Sequence, residues 1–188
     1  MNSYDFDDTI FRGNSFRRFF GYCLVRFPWL VVFLPVVAVA VVLRAVRILD
    51  KNTYLTWLGL FVALVPHTDK HVCNFWNKNM CRIKAWYMEQ KRDDDVIVSA
   101  SPDYLVAEAC RRLGVACIAT IVDPTNGRVD GVHCYGEQKV ARFVATYPEI
   151  VPVAYYSDSW SDKPMFDFCG KGYLVKGDKV TIVDALHR

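Results

Sequence analysis

The 188-residue chain has no Cys-X-X-Cys pair and no Asn-X-Ser/Thr sequon. Its seven cysteines are an odd number, which argues against a disulfide-stapled scaffold and for reduced thiols in a cytosolic setting. His71, Cys73 and Cys81 lie close together, but their spacing fits no standard zinc pattern, and they read as ordinary semi-buried residues. Internal repeats are absent. With 53% hydrophobic and 23% charged residues, the composition excludes a disordered or low-complexity chain. The length suits one domain with an insertion better than two full domains.

Acids are missing altogether between Thr9 and Leu49. The net charge of +3 hides this unevenness. Residues 10–92 carry thirteen Lys/Arg against three acids, a balance of +10, whereas residues 1–9 hold three Asp and residues 93–188 carry ten Lys/Arg against fourteen acids. A basic block between two acidic ones implies two different jobs.

The same block is the apolar one. Residues 27–43 (FPWLVVFLPVVAVAVVL) are seventeen uncharged residues between Arg26 and Arg44, and residues 54–66 (YLTWLGLFVALVP) form a second run. A straight span needs ~20 apolar residues, so the first is borderline and the second short. Pro35 should kink the first. A cleaved signal peptide would discard Asp5, Asp7 and Asp8, which are argued below to carry the chemistry; a greasy core helix is the plainer alternative. Arg12, Arg17, Arg18 and Arg26 before the first run, Arg44, Arg47 and Lys51 after it, and Trp29 and Trp57 near the ends favour an anionic membrane surface. The expectation is a membrane-inserted helical hairpin or re-entrant element.

Outside this block, strands and helices alternate. Strands are expected at 96–98, 115–121, 150–156, 173–175 and 180–183, with helices at 103–113, 137–147 and 163–168. Asn126-Gly127 is a hairpin signal. The alternation implies a parallel sheet covered on both faces, with chemistry at the carboxyl ends of its strands. Those ends carry Asp5-Phe6-Asp7-Asp8-Thr9, Ser99 and Ser157-Asp158-Ser159-Trp160-Ser161-Asp162, and Lys139 opens a helix. Crowded carboxylates repel unless a cation joins them, and hard oxygen ligands select Mg²⁺. Metal, ammonium and hydroxyl make a phosphate site, and a carboxylate beside it can attack phosphorus to form an aspartyl phosphate. The bland alternative, a helix N-cap and exposed loop acids, does not account for all four elements in this order.

DFDDT, the Ser of VIVSASP, the Lys of GEQKVARF and YSDSWSDKP resemble the four motifs of haloacid dehalogenase (HAD) superfamily phosphatases, across the whole chain. The branch most similar is the phosphoserine-phosphatase-like subfamily IB. Within it, the greasy insertion and the YSDS-x-x-D-x-P ending resemble the bacterial phosphatidylglycerophosphatase C family. The resemblance implies a Rossmann-like HAD core, a parallel sheet flanked by helices, built from residues 1–9 and 93–188. Residues 10–92 become an inserted helical, membrane-associated C1-type cap. It implies Asp5 as nucleophile and Mg²⁺ ligand, Asp7 as acid/base and part of the metal set, and Thr9 as an aid to Asp7. Ser99 and Lys139 would hold the phosphoryl oxygens, Asp158 would complete the metal shell and Asp162 would support it. Asp8 departs from the family's usual Gly and is expected to point away from the metal. The first strand is short of the usual apolar residues.

A phosphoserine-specific cap is expected to place an acid soon after the first motif; here stand Arg12, Arg17 and Arg18 instead. Arginines favour a polyanionic substrate or lipid headgroups. The leading expectation is a membrane-associated Mg²⁺ phosphatase of phosphatidylglycerophosphate or a similar lipid, its core on the cytoplasmic side of a bacterial inner membrane. Alternatives are a phosphatase of a soluble, phosphoserine-like metabolite and a non-catalytic membrane adaptor. Nucleic acid is not an expected partner, since the cations flank apolar runs rather than a polar, aromatic-studded groove.

Overall fold

Four consecutive buried residues, Val96 to Ser99, are what a strand covered on both faces requires. In the computed structural model, which describes residues 1–183, they belong to a six-stranded sheet. Its strands are β1 (Ser3–Tyr4), β2 (Val96–Pro102), β3 (Ala116–Thr120), β4 (Tyr155–Ser157), β5 (Gly172–Lys176) and β6 (Lys179–Val183). The order is β3-β2-β1-β4-β5-β6, parallel throughout except for the antiparallel β5–β6 pair. Helices α1 (Ser15–Arg26), α2 (Leu34–Ala45), α3 (Lys51–Gly59), α4 (Thr68–Asn79) and α5 (Ala85–Gln90) all lie between β1 and β2 in sequence. Helices α6 (Asp103–Leu113), α7 (Glu137–Thr146) and α8 (Lys163–Phe168) connect the later strands. This is a Rossmann-like α/β fold.

Strand β1 has two residues yet is central, paired with β2 on one side and β4 on the other. Hydrogen bonds extend the pairing at its ends: Ser3 N–H donates to Ala154 O (2.9 Å) and Asp5 N–H to Tyr156 O (2.8 Å). Tyr4 stacks on Tyr156 (4.7 Å between centroids), which stacks on Tyr173 (4.6 Å). Aromatic packing thus supplies what the strand lacks in aliphatic residues.

Two expected β elements are shorter in the structure. The strand over 150–156 is confined to Tyr155–Ser157. Pro152 has no N–H for a ladder, and its carbonyl accepts from Gly170 N–H instead. Around Asn126-Gly127 the chain does turn back on itself, but the ladder is one bridge, Val122 to Val129, with Asp123 N–H donating to Arg128 O (3.0 Å) and Asp130 N–H to Ile121 O (2.9 Å). Beside Pro35 the helix changes type: a 3₁₀ turn over Pro28–Phe33 gives way to α2 at Leu34, so Pro35 sits in the first turn of α2, a position that tolerates its missing N–H.

Pro28–Ala45 is a continuous helical segment of 18 residues, long and apolar enough to cross a bilayer, and 11% of it is buried within the protein. A core helix would be mostly buried. Here Val32 is 79% exposed and Val42 60%. In contrast α4 is anchored: Trp76 is fully buried, packs edge-on against Phe6 and Phe11, and donates from Nε1 to Leu105 O (2.7 Å). His71, Cys73 and Cys81 go to separate partners, Tyr22, Glu108 and the Lys78 carbonyl.

Candidate active site

The loop leaving β1 turns its apolar and acidic residues to opposite sides. Phe6, Ile10 and Phe11 are fully buried, and the Phe6 carbonyl accepts from the amides of Ile10 and Phe11, which closes a tight turn. Asp5, Asp7 and Asp8 then line a cavity of about 630 Å³. Asp8 has φ +55°, the left-handed region where Gly is at ease and Asp is among the tolerated side chains. The Asp8 carboxylate accepts from Gly13 N–H (3.0 Å), so it braces the turn. Lys84, 3% exposed, donates to the carbonyls of Asp8 and Gly177 and ties the end of the helical insertion to this loop.

Lys139 enters from the first turn of α7, 2% exposed. Its ammonium donates to Asp5 Oδ1 (2.7 Å), Asp162 Oδ2 (2.6 Å) and Tyr155 Oη (3.1 Å). Asp162 Oδ2 accepts further bonds from the hydroxyls of Tyr155 (2.9 Å) and Ser157 (2.8 Å). Asp162 is therefore engaged as a counter-charge that positions Lys139, rather than as a side chain held open for a metal. Burial works against the Lys139 ammonium, but the two carboxylates outweigh it and raise its pKa. Burial pushes Asp5 up to about 7; Lys139 opposes this and Asp162 adds to it.

Asp7 is oriented by neighbours that the motif reading passed over. Its Oδ1 accepts from Ser15 N–H (2.6 Å) at the start of α1, and its Oδ2 accepts from the Ser101 hydroxyl. Burial raises the Asp7 pKa against these bonds. The Thr9 hydroxyl does not reach Asp7, contrary to expectation. The turn folds it back between Asp5 Oδ2 (3.2 Å) and Asp158 Oδ1 (3.4 Å), and it accepts from Asp158 N–H (2.9 Å). Ser99 is buried on β2, lines the cavity, and its hydroxyl accepts from Ser101 N–H (3.1 Å). Ser99 and Ser101 are two apart on one strand, so the period-2 rule could have found Ser101.

The arginines separate. Arg17 lines the cavity, Arg12 pairs with Asp178 (2.7 Å), and Arg18 lies against Gly13. Arg12 precedes α1, and one residue of helix turns Arg18 roughly 100° from Arg17, so a sequence cluster is not a spatial one. The insertion's share of the wall is otherwise mostly apolar, Phe16, Phe20, Val37, Val41, Leu55 and Leu58 standing beside the polar Asn14 and Tyr54. Among the described residues lining the cavity, none from 10–92 is acidic.

Asp5 and Asp158 reach the same hydroxyl, and the Asp158 pKa is raised by burial and by Asp8. Such a pair gains from a hard cation. Mg²⁺, typically held by one or two carboxylates with water and substrate phosphate, fits this oxygen set. A closed cage does not: among the described residues no three His, Cys, Asp or Glu side chains form a metal cluster. Of the other acids expected in the metal set, Asp7 has Oδ1 engaged by Ser15 and Oδ2 by Ser101, and Asp162 has Oδ2 engaged by Lys139.

The family model of haloacid dehalogenase-like hydrolases matches residues 3–167. No curated protein matches the chain. A Bordetella pertussis Tohama I protein of unknown function superposes with TM-score 0.74 at 16% identity, over 92% of this chain and 87% of its own. A phosphoserine phosphohydrolase-like protein from Francisella tularensis gives 0.59 at 16%, over 92% and 86%. A substrate-bound phosphoserine phosphatase gives 0.52 at 18%, over 90% and 82%. At these identities the likeness is one of fold.

Proposed function

The chain belongs to the haloacid dehalogenase-like hydrolase family, and from that premise we propose that it is a Mg²⁺-dependent phosphomonoester hydrolase acting on a membrane phospholipid, with phosphatidylglycerophosphate the leading substrate. The observation that carries the reading is a cavity lined both by Asp5, Asp7 and Lys139 and by a mostly apolar set from the insertion whose one cation is Arg17. An acyl-bearing phosphomonoester matches both sides. Phosphoserine would leave its ammonium without a carboxylate from the insertion. Within the family, this reading resembles subfamily IB and phosphatidylglycerophosphatase C.

In the first step Asp5 attacks phosphorus, the bond to the leaving oxygen breaks, and Asp7 gives that oxygen its proton. Its raised pKa suits a group that must carry a proton to the reaction. In the second step Asp7 takes a proton from water, the water oxygen attacks phosphorus, and phosphate departs as Asp5 is restored. Lys139 and Ser99 hold phosphoryl oxygens and offset the charge that builds there. Asp5 and Asp158 would hold Mg²⁺, which supplies further neutralisation of the phosphoryl group.

The exposed apolar segment Pro28–Ala45, with Arg26 before it, Arg44 in its last turn and Arg47 after it, supports docking to an anionic membrane from the cytoplasmic side. The cysteines, all free, suit that compartment. A second reading is hydrolysis of a soluble, phosphoserine-like metabolite, favoured by a catalytic end that accommodates any phosphomonoester. The test is kcat/KM on both substrates in mixed micelles. It should be at least ~100-fold higher for phosphatidylglycerophosphate, about 2.7 kcal/mol of transition-state binding. Arg17→Ala should erode that preference and Arg18→Ala should not. Equal rates would overturn the lipid reading.

A further inference from the structure

We propose that the catalytic cavity opens towards the bilayer through an apolar mouth at Val41, so that the acyl chains of a lipid substrate remain in the membrane while its phosphate reaches Asp5. This rests on the phosphatase reading and adds the route by which its substrate arrives. A residue that lines a cavity and is also solvent-exposed marks an edge where that cavity meets the surface. Val41 does both: it lines the cavity with Asp5 and Lys139, and it is 47% exposed. One turn earlier Val37 lines the cavity less exposed, and Leu55 and Leu58 of α3 line it too. On the outside, Val39 and Val42 flank Val41 on α2, 50% and 60% exposed. Apolar side chains therefore stand on the outer face of α2, at Val41 and inside the cavity, and α2 carries no charge before Arg44.

The opposite side of α3 is closed. Gly59 at its end lies so close to Gly127 of the core that a Cβ on Gly127 would stand 2.4 Å from the Gly59 backbone. A Cβ on Gly59 would stand 2.6 Å from the Gly127 carbonyl oxygen. Backbone packed on backbone leaves no gap for a hydrocarbon chain. Arg17, exposed and also lining the cavity, brings a guanidinium to the rim, where an anionic headgroup would pass. A water-soluble phosphomonoester gains nothing from the apolar mouth, whereas an acyl chain never has to leave hydrocarbon.

The test uses two phosphatidylglycerophosphates with the same headgroup, dioleoyl in Triton mixed micelles and dihexanoyl in solution, on the full chain. Val41→Trp narrows the mouth with an apolar group and should lower kcat/KM for the dioleoyl substrate at least ~10-fold more than for the dihexanoyl one. Val41→Phe should do the same to a smaller extent, and it guards against a misfolded Trp variant, with melting temperature as the check. Equal losses on both substrates, or no loss on either in both variants, would overturn the mouth. Wild-type hydrolysis of p-nitrophenyl phosphate with neither phosphatidylglycerophosphate cleaved would instead overturn the lipid reading. No hydrolysis of any of the three would overturn the phosphatase reading.

Discussion

Asp162→Asn and Asp167→Asn each remove the acid of a short lysine–aspartate pair, and their consequences should differ widely. Lys139–Asp162 is 2.6 Å long with side chains 2% and 3% exposed; Lys163–Asp167 is 2.5 Å long with side chains 48% and 53% exposed. Removing one member of a buried pair usually costs ~3–5 kcal/mol, because the other charge is left stranded. Lys139 keeps Asp5 at 2.7 Å, and Asn can still accept from Tyr155 and Ser157, so the loss falls to or below the foot of that range, ~2–3 kcal/mol. For a chain of this size, at ~2–4 °C per kcal/mol, the melting temperature should drop by roughly 4–12 °C. The exposed i,i+4 pair is worth no more than ~0.5 kcal/mol, or ~2 °C. Turnover should fall ~100-fold in Asp162→Asn, as Lys139 relaxes towards Asp5 and loses its placement. Calorimetry and urea melts with unchanged slope would measure the stability side, and p-nitrophenyl phosphate the turnover. Equal melting shifts in the two variants, or wild-type turnover in Asp162→Asn, would refute the assignment of Asp162 as the group that positions Lys139.

Asp5→Asn should retain the fold and lose turnover, because Asn keeps the shape but cannot attack phosphorus, and EDTA should silence the wild type; a variant near the wild-type rate would sink the mechanism. Asp5 is raised from its ordinary 3.8 to about 7, chiefly by burial. Between those values the folded state holds a proton that the unfolded state has released, so the Asp5 contribution to stability declines as pH rises through that window. Activity should rise over the same window as the carboxylate forms, and Mg²⁺ should move that limb to lower pH. A limb insensitive to Mg²⁺ would count against Asp5 as a ligand. Vesicle binding should strengthen with anionic lipid by ~1 kcal/mol per Lys/Arg near the surface, so Arg44→Ala and Arg47→Ala should each weaken it about fivefold at low salt. Recovery as a detergent-free soluble monomer would contradict membrane docking.

The alternation of strands and helices was legible in the sequence because apolar period and turn chemistry are local properties. So was the order of DFDDT, VIVSASP, GEQK and YSDSWSD, each at the end of an element of a parallel sheet. The structure brings Asp5, Asp7, Ser99, Lys139, Asp158 and Asp162 to one cavity. What each side chain does there was decided by tertiary contacts. Thr9 meets Asp158 across 149 residues of sequence, Lys139 meets Asp5 across 134, and Ser101 meets Asp7 across 94. Adjacent arginines part company because one step of helix rotates Arg18 away from the cavity that Arg17 lines. The extended segment before Tyr155 loses its strand to Pro152, whose carbonyl accepts from Gly170. Exposure of Pro28–Ala45 likewise depends on what the rest of the fold covers. Local periodicity dictates which element forms, but a hydrogen bond needs its partner within about 3 Å, and only the packing of distant elements sets that distance.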